Sequence, residues 1–490
     1  MEGTRIKVAV IGCGPHFDKT HLPFLIKHRS TVHLALAVDT VQNSAATTAR
    51  LVPFGSDVEQ IDIQAWGDGP MPSPTADHLT EAVKRLEIDA VIIATEPLAH
   101  FGYLLWGMTT DAHLFVDKPI IMSVGASTSV TKARTLGRDL AALVDAGALR
   151  PDRLIAVGTQ RRYHCGLRFA FEHVLEASSR FGTPVTFMQS SHADGQFRMP
   201  NELETIAYHG YRDYGKIGHS GYHLIAEQCD LALESARATG MIYDELASFG
   251  SAVRPAGFLQ QVPPSTYEKF FGKAQWSSTS PESHEALADR MKTFSEIDVA
   301  LTNTFLREGT PVLLSQISLL HNSVSRRSSL AANPDLYKSN GRIKHESHTI
   351  NVGPFLTVQV HSYQSRSKRL DAHSDERALG GSDSFEVHLY RNAAWYGANA
   401  KPYEKFTGDD LARGSGMPDS ATFTGHAKEL MLEDFFACIS GRHPLTDHRS
   451  RLDSHLLGGT LLSAACESVA CGGTARRSLS AELFSTEVTS

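Results

Sequence analysis

Lys7-Val8-Ala9-Val10-Ile11-Gly12-Cys13-Gly14-Pro15-His16-Phe17 decides how the chain begins to fold. The apolar, largely β-branched run Lys7 to Ile11 reads as a strand, and two glycines one residue apart follow at once. A strand that turns into a helix at glycines lets the backbone approach a diphosphate, which then meets the free N–H groups and positive dipole end of the helix. The third position of the G-x-G-x-x-G pattern falls on Phe17, where a small residue is usual. Taken alone, this is also the pattern of a glycine turn in an ordinary globular protein.

The neighbouring sequence favours the dinucleotide reading. Val32 to Val38 is a second apolar run, and it ends at Asp39. A carboxylate there accepts hydrogen bonds from ribose hydroxyls and repels a 2′-phosphate, so NAD(H) is favoured over NADP(H); the alternative is a turn residue at a strand end. Ala90 to Ala94, Leu114 to Val116 and Leu154 to Val157 are further apolar runs. Asp77 to Leu86 and Thr128 to Ala146 between them have helical periodicity. Continuous apolar strands alternating with helices imply a parallel sheet covered on both faces. Residues 1–160 are therefore expected to form an α/β Rossmann domain with a doubly wound parallel sheet.

After Arg161 the pattern changes. Arg168 to Ala177 and Tyr222 to Leu233 read as helices. Pro184 to Gln189, Val299 to Phe305, Val312 to Ile317, Phe355 to His361 and Phe385 to Tyr390 read as strands with few helices between them. This predicts an α+β domain over residues 161–490, with a large, mostly antiparallel open sheet. Residues 248–285 and 366–381 read as insertions or loops, and 399–420 as a polar linker. The last helices are expected near His426 to Cys438 and Arg449 to Cys471.

Bulk properties narrow the class. The 490 residues carry a formal net charge of −7, against a nucleic-acid partner. Six scattered cysteines without a C-x-x-C pair argue against a disulfide framework or zinc module, and no metal is expected. The start shows no signal peptide and no apolar stretch approaches about 20 residues, so a cytoplasmic protein without a membrane partner is expected.

Five features in order resemble the Gfo/Idh/MocA oxidoreductases, the family of glucose–fructose oxidoreductase and inositol dehydrogenase. They are the glycine turn followed by His21-Leu22-Pro23; Thr95-Glu96-Pro97 with His100; Asp117-Lys118-Pro119, similar to the family's E-K-P; Arg161-Arg162-Tyr163; and His219-Ser220-Gly221-Tyr222-His223, similar to D-x-G-x-H. The resemblance implies a cofactor site of Gly12, Cys13, Gly14, Pro15, His16, Phe17, Asp39, Thr95, Glu96, Pro97, His100, Asp117, Lys118 and Pro119. It implies that Lys118 orients and polarises the reacting oxygen, that His223 is the general acid/base and that His219 stands in the carboxylate's catalytic position. Arg161, Arg162, Tyr163, Tyr208, His219 and His223 would bind a small-molecule substrate. A homodimer or homotetramer through the C-terminal sheet is implied by analogy.

The residue types suit this chemistry. An ammonium beside a carbinol oxygen stabilises developing negative charge, and imidazole exchanges protons near neutrality. Tyr208, His209, Tyr211, Arg212 and Tyr214 offer rings and hydroxyls to a sugar-like ligand, or simply pack over the sheet. The expected reaction is NAD(P)-dependent hydride transfer to or from a secondary alcohol or ketone of a sugar, aminosugar, cyclitol or related metabolite. Alternatives are reduction of C=N or another group in a biosynthetic pathway, non-redox glycoside cleavage, and a non-catalytic dinucleotide- or ligand-binding homologue.

Overall fold

The computed structural model describes residues 5–205, 211–280, 282–330, 341–364, 383–418 and 421–484. The chain forms two compact units. One comprises Met1–Val124, Thr135–His164 and Asp419–Gly459; the other comprises Gly125–Arg134, Cys165–Pro418 and Thr460–Ser490. The division thus differs from a single cut at residue 160. The helix Phe423–Ile439 buries Met431, Leu432, Phe435 and Phe436 in the same core as Val8, Val10, Phe24 and Phe115. Each such side chain contributes about 1.5–3 kcal/mol on burial.

The first unit contains strands β1 (Ile6–Ile11), β2 (Val32–Thr40), β3 (Glu59–Ile63), β4 (Ala90–Ile93), β5 (His113–Asp117) and β6 (Ile155–Gly158). They lie in the order β3-β2-β1-β4-β5-β6, all parallel. Chain order reverses between β1 and β4, the crevice where such sheets bind ligands at their carboxyl ends. Edge strand β6 is covered by the returning C-terminal segment: Val157 N donates to Ser450 O at 2.8 Å and Leu452 N to Ile155 O at 2.8 Å.

The second unit carries β7 (Phe187–Ala193), β8 (Glu245–Val253), β9 (Asp298–Arg307), β10 (Thr310–Leu320), β11 (Lys344–Val352), β12 (Leu356–Gln364), β13 (Ser384–Arg391), β14 (Tyr403–Thr407) and β15 (Thr474–Ser478). Their order is β14-β13-β12-β11-β7-β10-β9-β8-β15. Every pairing is antiparallel except β7 with β10. Burial alternates along β12 and β13, and the helices Cys165–Phe181 and Tyr222–Thr239 pack against the sheet.

Two expected loops are structured. Residues 248–253 belong to β8, and the rest of the 248–285 segment holds the helices Pro255–Gln261, Pro264–Phe271 and Lys273–Thr279, with His284–Arg290 following. Each is too short for a clear helical period. Their apolar residues nevertheless pack: Phe258, Leu259, Leu287 and Met291 share a core with Tyr211, and Tyr267 stacks on Trp276 at 4.3 Å. The supposed linker at 399–420 contains β14 and the helix Gly408–Ser415, started by a Thr407/Asp410 capping box. The 366–381 insertion lies outside the described residues.

Burial holds the imidazoles of His21, His100, His192, His321, His448 and His455 below the ordinary histidine range, His448 at about 4. Unfolded, each takes up a proton near pH 6.5. Their contribution to stability is therefore present above that pH and lost as pH falls from 6.5 toward 4. The thermal unfolding midpoint is expected to drop by roughly 5 °C or more between pH 7 and pH 5. A flat calorimetric profile over that range contradicts this.

Candidate active site

The glycine turn is locked by its surroundings. Gly12 has φ +90°, and a Cβ there would lie 2.8 Å from Ala94 C, Ala94 O and Thr95 N, all backbone. Only glycine lets the turn sit this close to the end of β4. At Gly14 an added Cβ would meet nothing within 4 Å, so the space over the second glycine is open. The helix Pro15–Lys27 starts there with Pro15 at its head and no side-chain cap from Gly14. A tight first glycine, an open second one and an uncapped helix start suit a dinucleotide diphosphate.

Asp39 is bound into this turn. Its carboxylate accepts from Cys13 N at 2.8 Å, Thr40 N at 2.7 Å, Asn43 Nδ2 at 3.0 Å and Thr47 Oγ1 at 3.2 Å. Four donors fill the acceptor positions of a carboxylate. Its first task is to tie the turn to the end of β2, and a ribose hydroxyl reaches it only by exchange with one of these donors. Cys13 serves through its backbone; burial pushes its thiol up to about 12. Phe17, expected at the cofactor, is fully buried and belongs to the core around Val8 and Phe24.

At the ends of β4 and β5, His100 supports the backbone of both strand ends. It is fully buried, with Nδ1 2.9 Å from Pro119 O and Nε2 3.1 Å from Thr95 O. It clamps the Thr95-Glu96-Pro97 loop to the Asp117-Lys118-Pro119 segment. Asp117 ends β5, and Gly158 beside it leaves room for its carboxylate, since a Cβ there would be 3.0 Å from Oδ1. Asp117 Oδ2 lies 3.2 Å from His16 Nε2, and Oδ1 lies 3.4 Å from His21 Nε2. Burial opposes the charge of Asp117, yet the two imidazoles hold its carboxyl well below the usual range. Lys428 donates to Thr20 Oγ1 at 2.7 Å, and burial lowers its ammonium pKa while Asp117 opposes that fall. Sequence reading did not place His21 or Lys428 in a site. His21 was signalled by the H-L-P segment; Lys428 had no signal.

Two residues expected at the substrate have partners within the chain. Arg162 Nη1 donates to Arg449 O at 2.8 Å and to Ser454 Oγ at 2.6 Å. Tyr163 donates to Asp434 Oδ2 at 2.6 Å, and burial raises its phenol pKa. Both fasten the returning C-terminal segment. Arg161 is buried. Tyr208 and His209 lie outside the described residues, while Tyr211 is buried with its hydroxyl on His321 Nδ1.

In the second unit, His219 lies in a π-helical turn, Ile217–Gly221, and His223 in the first turn of the helix Tyr222–Thr239. Both are half-buried. Such π turns concentrate at functional positions. Gly221 is required because a Cβ there would meet Leu319 Cδ1 at 2.6 Å. The turn is anchored from below: Glu296 Oε1 accepts from Ile217 N at 2.8 Å, and the fully buried Lys216 pairs with Asp194, which also pairs with Arg342.

Residues 6–140 match the family model described as "Oxidoreductase family, NAD-binding Rossmann fold". Solved structures share the fold at low sequence identity. The WlbA dehydrogenase from Bordetella pertussis, in complex with NADH and UDP-GlcNAcA, is similar with a TM-score of 0.53 and 14% identity, covering 98% of this chain and 100% of that one. An oxidoreductase from Agrobacterium radiobacter, in complex with NAD+, L-tartaric acid and magnesium, gives 0.54 and 14%, covering 96% and 98%. The myo-inositol 2-dehydrogenase from Lactobacillus plantarum gives 0.53 and 13%, covering 96% and 99%. No curated protein matches by sequence. Among the described residues, no helix is long and apolar enough to cross a membrane.

Proposed function

We propose, from the match of residues 6–140 to the NAD-binding oxidoreductase family model, that this protein transfers a hydride between NAD(H) and a secondary alcohol or ketone of a sugar, aminosugar, cyclitol or related metabolite. The observation that carries the reading is the turn itself, with Gly12 pinned on β4, Gly14 open above the helix start and Asp117-Lys118 ending β5 in the same sheet. Gly12 to Pro15 would hold the diphosphate, and the strand ends at Thr95 and Asp117 would bracket the nicotinamide end. When bound, nicotinamide donates or accepts the hydride.

Lys118 hydrogen-bonds the reacting oxygen and stabilises its negative charge. His223 exchanges the hydroxyl proton, and His219 binds a substrate hydroxyl. UDP-GlcNAcA in one neighbour supports an aminosugar-type substrate. Reduction of a C=N bond is the second reading, favoured by His219 standing where the family resemblance expects a carboxylate.

Asp39 repels a 2′-phosphate even while its oxygens are engaged. Fluorescence titration is expected to show NADH binding at least about tenfold tighter than NADPH. Equal affinities remove the NAD preference, and binding of neither removes the oxidoreductase reading.

A further inference from the structure

The contact between Asp117 and its two histidines has the spacing of a ligand set. His16 Nε2, His21 Nε2 and an Asp117 oxygen all lie within 4.8 Å of one another. The two imidazole–carboxylate separations are 3.2 and 3.4 Å. Ligands bound at about 2.0–2.2 Å around a tetrahedral ion stand about 3.3 Å apart. Neither ring nitrogen of His21 makes a directed hydrogen bond, although the residue is fully buried. Buried polar atoms normally have such partners. His21 Nε2 instead faces the carboxylate as a ligand would across a shared centre. His16 has a side chain 47% exposed, which leaves one side of the cluster open.

We propose that His16, His21 and Asp117 form a binding site for a divalent cation of the zinc class. Two imidazoles and one carboxylate are the donor types that suit Zn²⁺ and its first-row neighbours. Three protein ligands with an exposed side leave a coordination position for water or another oxygen donor. Asp117 brings one negative charge to the ion. Lys428, bonded to Thr20 beside the cluster, opposes it. The site uses the second residue of the turn's helix and the neighbour of Lys118, so an ion there sits at the nucleotide end of the first unit.

The test uses the full chain, tag removed and freed of nucleotide, titrated with Co²⁺ and followed by visible absorption. One equivalent is expected to give the d–d bands of a low-coordinate site, and Zn²⁺ is expected to displace it. His16→Ala, at a half-exposed position, is expected to weaken binding roughly tenfold or more. His219→Ala and Glu433→Gln are expected to leave it unchanged. Glu433 belongs to a separate group with His28 and Glu429. Absence of d–d bands, an unchanged Co²⁺ affinity in His16→Ala, or bands lost in Glu433→Gln would each overturn the proposal. None of these readouts depends on turnover or nucleotide binding, so the result stands apart from the proposed reaction.

Discussion

Replacing Lys118 with alanine is expected to lower turnover of the alcohol substrate by about a thousandfold and to change NADH affinity by less than about threefold. The separation follows from what the side chain is proposed to touch. An ammonium on the reacting oxygen acts on charge that develops only as the hydride and proton leave, so its loss falls on kcat rather than on ground-state binding. The diphosphate is left to the glycine turn, where Gly12 rests on Ala94 and Thr95 and Asp39 holds Cys13 N. The backbone on either side of Lys118 keeps its supports, because Asp117 faces His16 and His21 and Pro119 O faces His100. Stopped-flow measurement of nicotinamide absorbance gives the rate, and fluorescence titration gives the affinity. A loss confined to NADH binding places Lys118 on the cofactor, and an unchanged rate removes it from the reaction.

What could be read in the sequence depended on whether a residue's partner was local. β1 and the glycine turn were legible because an apolar run and a φ that only glycine tolerates are local requirements. β11 was missed because its buried face carries Glu346 and His348, bonded to each other at 3.2 Å, with His348 reaching Ser190 at 3.0 Å. A polar pair satisfied inside looks, in sequence, like a solvated face. Arg162 and Tyr163 were expected at the substrate from the family resemblance, and their partners within the chain were not legible. Their partners lie 287 and 271 residues further along the chain. The apolar residues of Phe423–Ile439 show that the helix is buried but not against what. Asp39 was found at the expected strand end, yet its four donors come from the turn, the strand end and the following helix, an arrangement that only the folded chain assembles.

Asp194→Ala is expected to cost the protein about 3–5 kcal/mol, the scale for removing one partner of a buried ion pair. Asp194 is 2% exposed and pairs with Lys216 and Arg342, themselves fully or almost fully buried. Arg342 Nε also donates to the Asp194 backbone carbonyl at 2.8 Å, a bond the substitution keeps. Truncation therefore leaves two cations in a low-dielectric interior with their shared anion gone. Burial already lowers the Lys216 pKa, and losing Asp194 removes the main interaction opposing that fall. The unfolding midpoint of the second unit should drop by roughly 5–10 °C, seen in calorimetry as a shift of one transition if the units melt separately. Replacing Lys216 by Met and Asp194 by Leu together should recover part of the loss, because paired apolar side chains leave fewer unmatched charges. Lys216 immediately precedes the π turn that carries His219, so the same substitution should weaken substrate binding while NADH affinity holds. A variant with native thermal stability would show that the carboxylate is not what balances the two cations.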